Sequence, residues 1–147
     1  MTKTKLSPTK RFATLVPAIA MIVFNGWAMA DDLTVSGSNG AGGSHGVAGS
    51  PTGTNGTAGT AGGPASATHT SLIDLWTTAH AYGGQGGFGG DGGPGAGAGD
   101  AGGNGGAGGF GGSAYAEANR IFTTGWTRSE AYAYGGNAGH GGAAGAG

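Results

Sequence analysis

Cysteine is absent from the 147 residues. No disulfide can staple the chain, and no thiolate can bind a metal or carry a lipid. Proline is scarce: beyond residue 30 there are only Pro51, Pro64 and Pro94. A collagen triple helix needs proline at roughly 15–20% and is excluded. Positive charge is scarce too. Beyond residue 30, Arg120 and Arg128 stand against Asp31, Asp32, Asp74, Asp91, Asp100, Glu117 and Glu130. A phosphate-backbone binder needs a basic stripe, so nucleic acid is excluded as a partner, and an anionic membrane surface with it.

There is one long apolar run, at residues 13–24. Lys3, Lys5, Lys10 and Arg11 precede it, and Ala28 and Ala30 follow it with the spacing a signal peptidase reads. A membrane span needs about 20 apolar residues, and this run is shorter and contains Pro17. The pattern predicts a signal peptide over 1–30, cleaved between Ala30 and Asp31. Residues 31–147 are then a glycine-rich repeat region, secreted or displayed at the cell surface, with no membrane segment in the mature form.

What is abundant is glycine, 39 residues of it. It concentrates in blocks at 37–63, 83–112 and 135–147, separated by spacers at 64–82 and 113–134. Within the blocks it keeps a period of three: 37, 40, 43, 46 and 49, then 53, 56, 59 and 62 after a slip around Pro51. The second block slips near Pro94, and the third repeats the phase at 136, 139, 142 and 145. A period of three suits neither an α-helix nor a strand. It suits the threefold extended helix, which rises about 3.1 Å per residue and has no internal hydrogen bonds. The expected fold is therefore a low-complexity bundle of polyglycine II helices with short β-strand spacers. The alternative is disorder, since glycine loses the most entropy on ordering. A conventional globular α/β fold is not expected. The slips at Pro51 and Pro94 read as turns.

The spacers alternate apolar and polar residues, as in "SLIDLWTTAHAY" and "EAYAY", and read as strands. They also resemble each other: Trp76-Thr77 matches Trp126-Thr127, and "AHAYGG" matches "AYAYGG". The repeat is about 50 residues, in the range of repeat arrays. The third glycine block is short and has no visible cap, so the chain reads as the N-terminal part of a longer protein.

No residue pattern assembles an acid, a base and a nucleophile, so an enzyme is not expected and no cofactor is implied. His45, His69, His80 and His140 are scattered and lack metal-ligand spacing. "GGFGGD" ending at Asp91 matches the start of the repeats-in-toxin calcium motif, but Gly93 stands where a large apolar residue belongs, leaving Asp91 a weak metal candidate. Thr54, Thr57 and Thr60 lie three apart and form a hydroxyl ladder with steps of about 9 Å on a threefold helix. Such a ladder could meet ice or another regular surface. Trp76, Tyr82, Trp126 and Tyr134 are placed either to pack between repeats or to stack on glycans.

The GxX blocks resemble the springtail glycine-rich antifreeze proteins, which implies a threefold-helix bundle and ice binding through a flat face that includes Thr54, Thr57 and Thr60. "AGGNGGAGGFGG" resembles the repeats of mycobacterial PE-PGRS surface proteins, and a signal followed by Gly/Ala/Ser/Asn repeats resembles bacterial adhesins and autotransporters. These resemblances imply a non-catalytic, adhesin-like surface protein with self-association or surface and matrix contacts.

Overall fold

A computed structural model describes residues 30–72, 74–121 and 126–147. The predicted signal peptide up to residue 29 lies outside the described residues. Among the described residues there are five strands: β1 (Ala30–Ser36), β2 (Ala65–Ser71), β3 (Trp76–Tyr82), β4 (Ala114–Arg120) and β5 (Arg128–Tyr134). They form two sheets, β1-β3-β5 and β2-β4, and every pairing is parallel. Among the described residues there is no helix, so none is long and apolar enough to cross a membrane.

This corrects the expected fold class. The architecture is β, not a polyglycine II helix bundle with strand spacers, and the glycine blocks are ordered rather than disordered. The period of three belongs to contacts between neighbouring segments. Strands β1, β3 and β5 run straight into glycine segments 37–49, 83–95 and 135–147, which lie side by side as the strands do. Gly40 donates to Gln85 O, Gly43 to Phe88 O and Gly46 to Asp91 O, each at 2.7 Å; Gly86 and Gly89 donate onward to Asn137 O and His140 O at 2.8 Å. Segments 53–63 and 101–112 form the second layer and lead into β2 and β4. They run antiparallel to the first layer: Gly87 donates to Thr60 O at 2.9 Å, and Gly106 to Gly90 O at 2.7 Å.

The chain reverses between Val47 and Thr54, which are bonded to each other, and between Gly93 and Gly103, likewise bonded. Pro51 and Pro94 therefore sit at the two reversals. In the second, Gly99 has φ of +88°, a conformation that L side chains rarely adopt.

The strand part needs side chains because its sheets face each other. Ala65, Ala67, Ala79 and Ala81 are buried, with Leu33, Val35, Ala114, Ala116 and Ala118 against them. Alternation along a strand sends these residues inward and their neighbours outward. β1 and β2 have weaker patterns than β3, but they align in register with it and with β4: Leu33 pairs with Ala79, and Ala67 with Ala116.

Candidate functional surface

The threonine ladder lies on the outer edge of the first glycine pair. Thr54, Thr57 and Thr60 each donate their backbone N–H, at 2.9 Å, to the carbonyls of Val47, Ser44 and Ala41. Their Oγ1 atoms accept the N–H groups of the same three residues at 2.7 Å. The three threonine side chains remain exposed. Their oxygens are therefore engaged with those amides.

Asp91 is a clasp within the first layer. Its N–H donates to His45 Nδ1 at 3.0 Å, and its Oδ1 accepts the N–H of Ala143 at 2.7 Å. It thus joins all three segments of that layer. His45 Nδ1 also lies 3.4 Å from Asp91 Oδ2. Two amides serve in the same way: Asn39 Oδ1 accepts from Gln85 N–H at 3.0 Å, and Asn55 Oδ1 from Asn104 N–H at 2.8 Å. These three partners, Asn39, His45 and Asn55, were not legible as functional positions. Their signal is a polar side chain directly before a phased glycine. Among the described residues, no group of three or more His, Asp or Glu could hold a metal ion.

The aromatic candidates separate into two sets. Tyr82 and Tyr134 stack on each other with centroids 5.2 Å apart, and His80 stacks on Tyr132 at 5.0 Å. Parallel in-register pairing brings them together, since β3 residues meet β5 residues of the same parity. Tyr82 thus packs on Tyr134 across the two strands, and both remain exposed, at 40% and 51%. Beside this pair is an open groove of about 310 Å³, lined by Ser36, Asn39, Tyr82, Gln85, Tyr134 and Asn137. The tryptophans are at the other end of the strands. Arg128 lies over the Trp76 ring at 5.1 Å from its centroid, and Trp126 is 97% exposed. With Leu75 and Thr127 they line a hollow of about 480 Å³.

Histidines in the strand part tie strands together. His69 sits between Asp31 Oδ2, 3.0 Å from Nε2, and Thr78 O, 3.1 Å from Nδ1. His80 Nε2 is 3.6 Å from Asp32 Oδ1. On the outer face of β4, Tyr115 donates to Glu117 at 2.7 Å and Asn119 donates to it at 2.6 Å. The bond from Asn119, then that from Tyr115, hold the Glu117 carboxyl below its ordinary value. The bond to Glu117, then its negative charge, push the Tyr115 phenol up. The bond to Glu130, then burial, raise Tyr132 in the same direction.

No protein-family model matches the chain, and no curated protein does. Among solved structures, the chain is 28% identical to the nine polyproline type II helical bundle springtail antifreeze protein from Granisotoma rainieri. The match covers 78% of this chain and 97% of that one, with a TM-score of 0.19. At that score the two structures do not superpose, and the likeness carries no structural argument.

Proposed function

We propose that this chain is a non-catalytic structural protein of the cell exterior, an adhesin-like scaffold that is exported and then presents its faces to a surface or matrix. One observation carries the reading. Polar and aromatic side chains along the glycine blocks and strand ends join one segment to the next: Asp91 with His45 and Ala143, Thr57 with Ser44, Tyr82 with Tyr134. A catalytic site needs an acid, a base or a nucleophile converging on a cleft. Here the side chains run in columns along a lattice. The signal pattern at 1–30 supports export, and the excess of acidic residues argues against nucleic acid.

The test is export. Expressed with its own N-terminus in a bacterial host, the chain should appear outside the cytoplasm with Asp31 as its first residue by N-terminal sequencing. Cytoplasmic retention with Met1 intact would overturn the reading.

Ice binding is the second reading. The exposed three-residue spacing of Thr54, Thr57 and Thr60 supports it. An ice-recrystallisation assay separates the two: inhibition by the native chain that is lost in Thr57→Tyr favours ice binding. Absence of inhibition, or inhibition untouched by the substitution, leaves the scaffold reading alone.

A further inference from the structure

The first edge of the glycine lattice differs from its interior in a way that goes beyond any scaffold role. Inside the lattice, Gly87, Gly90 and Gly93 donate their N–H groups to the carbonyls of Thr60, Thr57 and Thr54, at 2.9, 2.9 and 2.8 Å. By the register of β1 on β3, the counterparts of these glycines in the first segment are Ala41, Ser44 and Val47. No earlier segment among the described residues lies beside them to supply carbonyls. Their N–H groups go instead to the hydroxyls of Thr60, Thr57 and Thr54, at 2.7 Å each.

The threonines have their own counterparts. By the register of β2 on β4, these are Gly103, Gly106 and Gly109. A Cβ on any of the three would overlap the carbonyl oxygen of Thr54, Thr57 or Thr60. Interior segments must therefore be bare at this column. The edge segment has a side chain there, and that side chain occupies the space where a neighbour would lie.

We propose that Thr54, Thr57 and Thr60 form a stop that closes this edge to a glycine segment from a second copy of the chain. The slot they fill has the chemistry of one kind of occupant. It offers three N–H donors at three-residue intervals, as Gly139, Gly142 and Gly145 of 135–147 offer to the carbonyls of Gly109, Gly106 and Gly103 in 101–112 at 2.8 Å. Another copy's 101–112 stretch is the segment that would fit. Exposed backbone edges invite such pairing, and side chains that occupy the edge prevent it. The threonine performs two tasks: its bulk excludes the neighbour and its oxygen replaces the neighbour's carbonyl.

The experiment uses the purified full chain, amide exchange by NMR, sedimentation, and a synthetic peptide of residues 101–112. In the native chain, Ala41, Ser44 and Val47 amides should exchange slowly, the chain should sediment as one species at all concentrations, and the peptide should not bind. The variant T54V/T57V/T60V keeps the bulk and removes the acceptor. Those three amides should then exchange at least tenfold faster, while sedimentation is unchanged. The variant T54G/T57G/T60G empties the slot and should take up the peptide or associate with itself. Random-peptide exchange at the three native amides overturns the proposal. So does peptide binding at this edge of the native chain, retained protection in the valine variant, or a folded glycine variant that takes up neither partner. If the glycine variant does not fold, the native and valine measurements decide.

Discussion

Thr57 and Ser44 are joined by two bonds in opposite directions: the Thr57 N–H donates to Ser44 O at 2.9 Å, and Thr57 Oγ1 accepts the Ser44 N–H at 2.7 Å. One side chain thus completes a backbone pairing that in the next repeat is made by backbone alone. The same principle governs the lattice. Where two segments approach closely there is room only for hydrogen; where a segment has no neighbour, a side chain takes its place.

Gly87→Ala tests the close approach. A Cβ there would overlap Ala41 O, which is backbone and cannot rotate away. Overpacking of a tight interior costs about 1–3 kcal/mol and more where backbone must move. We expect the thermal unfolding midpoint to fall sharply in circular dichroism. Gly42→Ala is the control, since its nearest contact would be Phe88 O at an ordinary 3.8 Å. Equal effects at the two positions would refute the close-packing account.

Ala79 and Ala81 are fully buried between the sheets. Ala79→Leu should destabilise the chain by about 1–3 kcal/mol, because the sheets must part to admit the larger side chain. Denaturant unfolding checks it. A neutral or stabilising result would mean that the sheets hold unfilled space.

The Tyr82–Tyr134 stack should appear in a double-mutant cycle. Aromatic pairs contribute about 0.5–1.5 kcal/mol beyond their burial. The coupling between Tyr82→Ala and Tyr134→Ala should fall in that range. Additive effects would show that the rings pack independently.

The Glu117 cluster has an acid and an alkaline limb. Glu117 has a lowered pKa in the fold, so its contribution is present above the ordinary carboxylate range and is lost as pH falls through the folded value. Tyr115 has a raised pKa, so its contribution is present below the ordinary phenol range and is lost as pH rises through the folded value. Both groups are on the surface, and the effects on stability are small. In an NMR titration, Asn119→Ala should move the Glu117 midpoint upward, toward an unperturbed carboxylate. An unmoved midpoint would remove Asn119 as the principal cause.

Part of this architecture was readable before folding. The alternation in "SLIDLWTTAHAY" and "EAYAY" overlaps β3 and β5, and the shared "AYGG" ending marks them as repeats. Pro51 and Pro94 mark the reversals. β1 and β2 were not readable: "ADDLTVS" has two adjacent acidic residues after its first alanine, and "ASATHTS" has only alanines on its apolar face. Alanine suffices there because the facing sheet approaches closely, a fact no local pattern contains. The period of three is legible, yet it does not fix the geometry of the segments that carry it. A repeat of bare positions reports where neighbours touch, and it does not say whether strands or helices bring them into contact.

By itself the sequence determined the spacing of the bare positions, the places where the chain turns, and the lack of any disulfide, because these depend on residue type alone. Only the tertiary structure decided that the segments continue parallel sheets, and that Asp91 clasps three of them. It also decided that Thr54, Thr57 and Thr60 turn their oxygens toward amides at an edge. Those outcomes depend on which segment lies beside which, and partners some fifty positions apart are chosen by the whole stack.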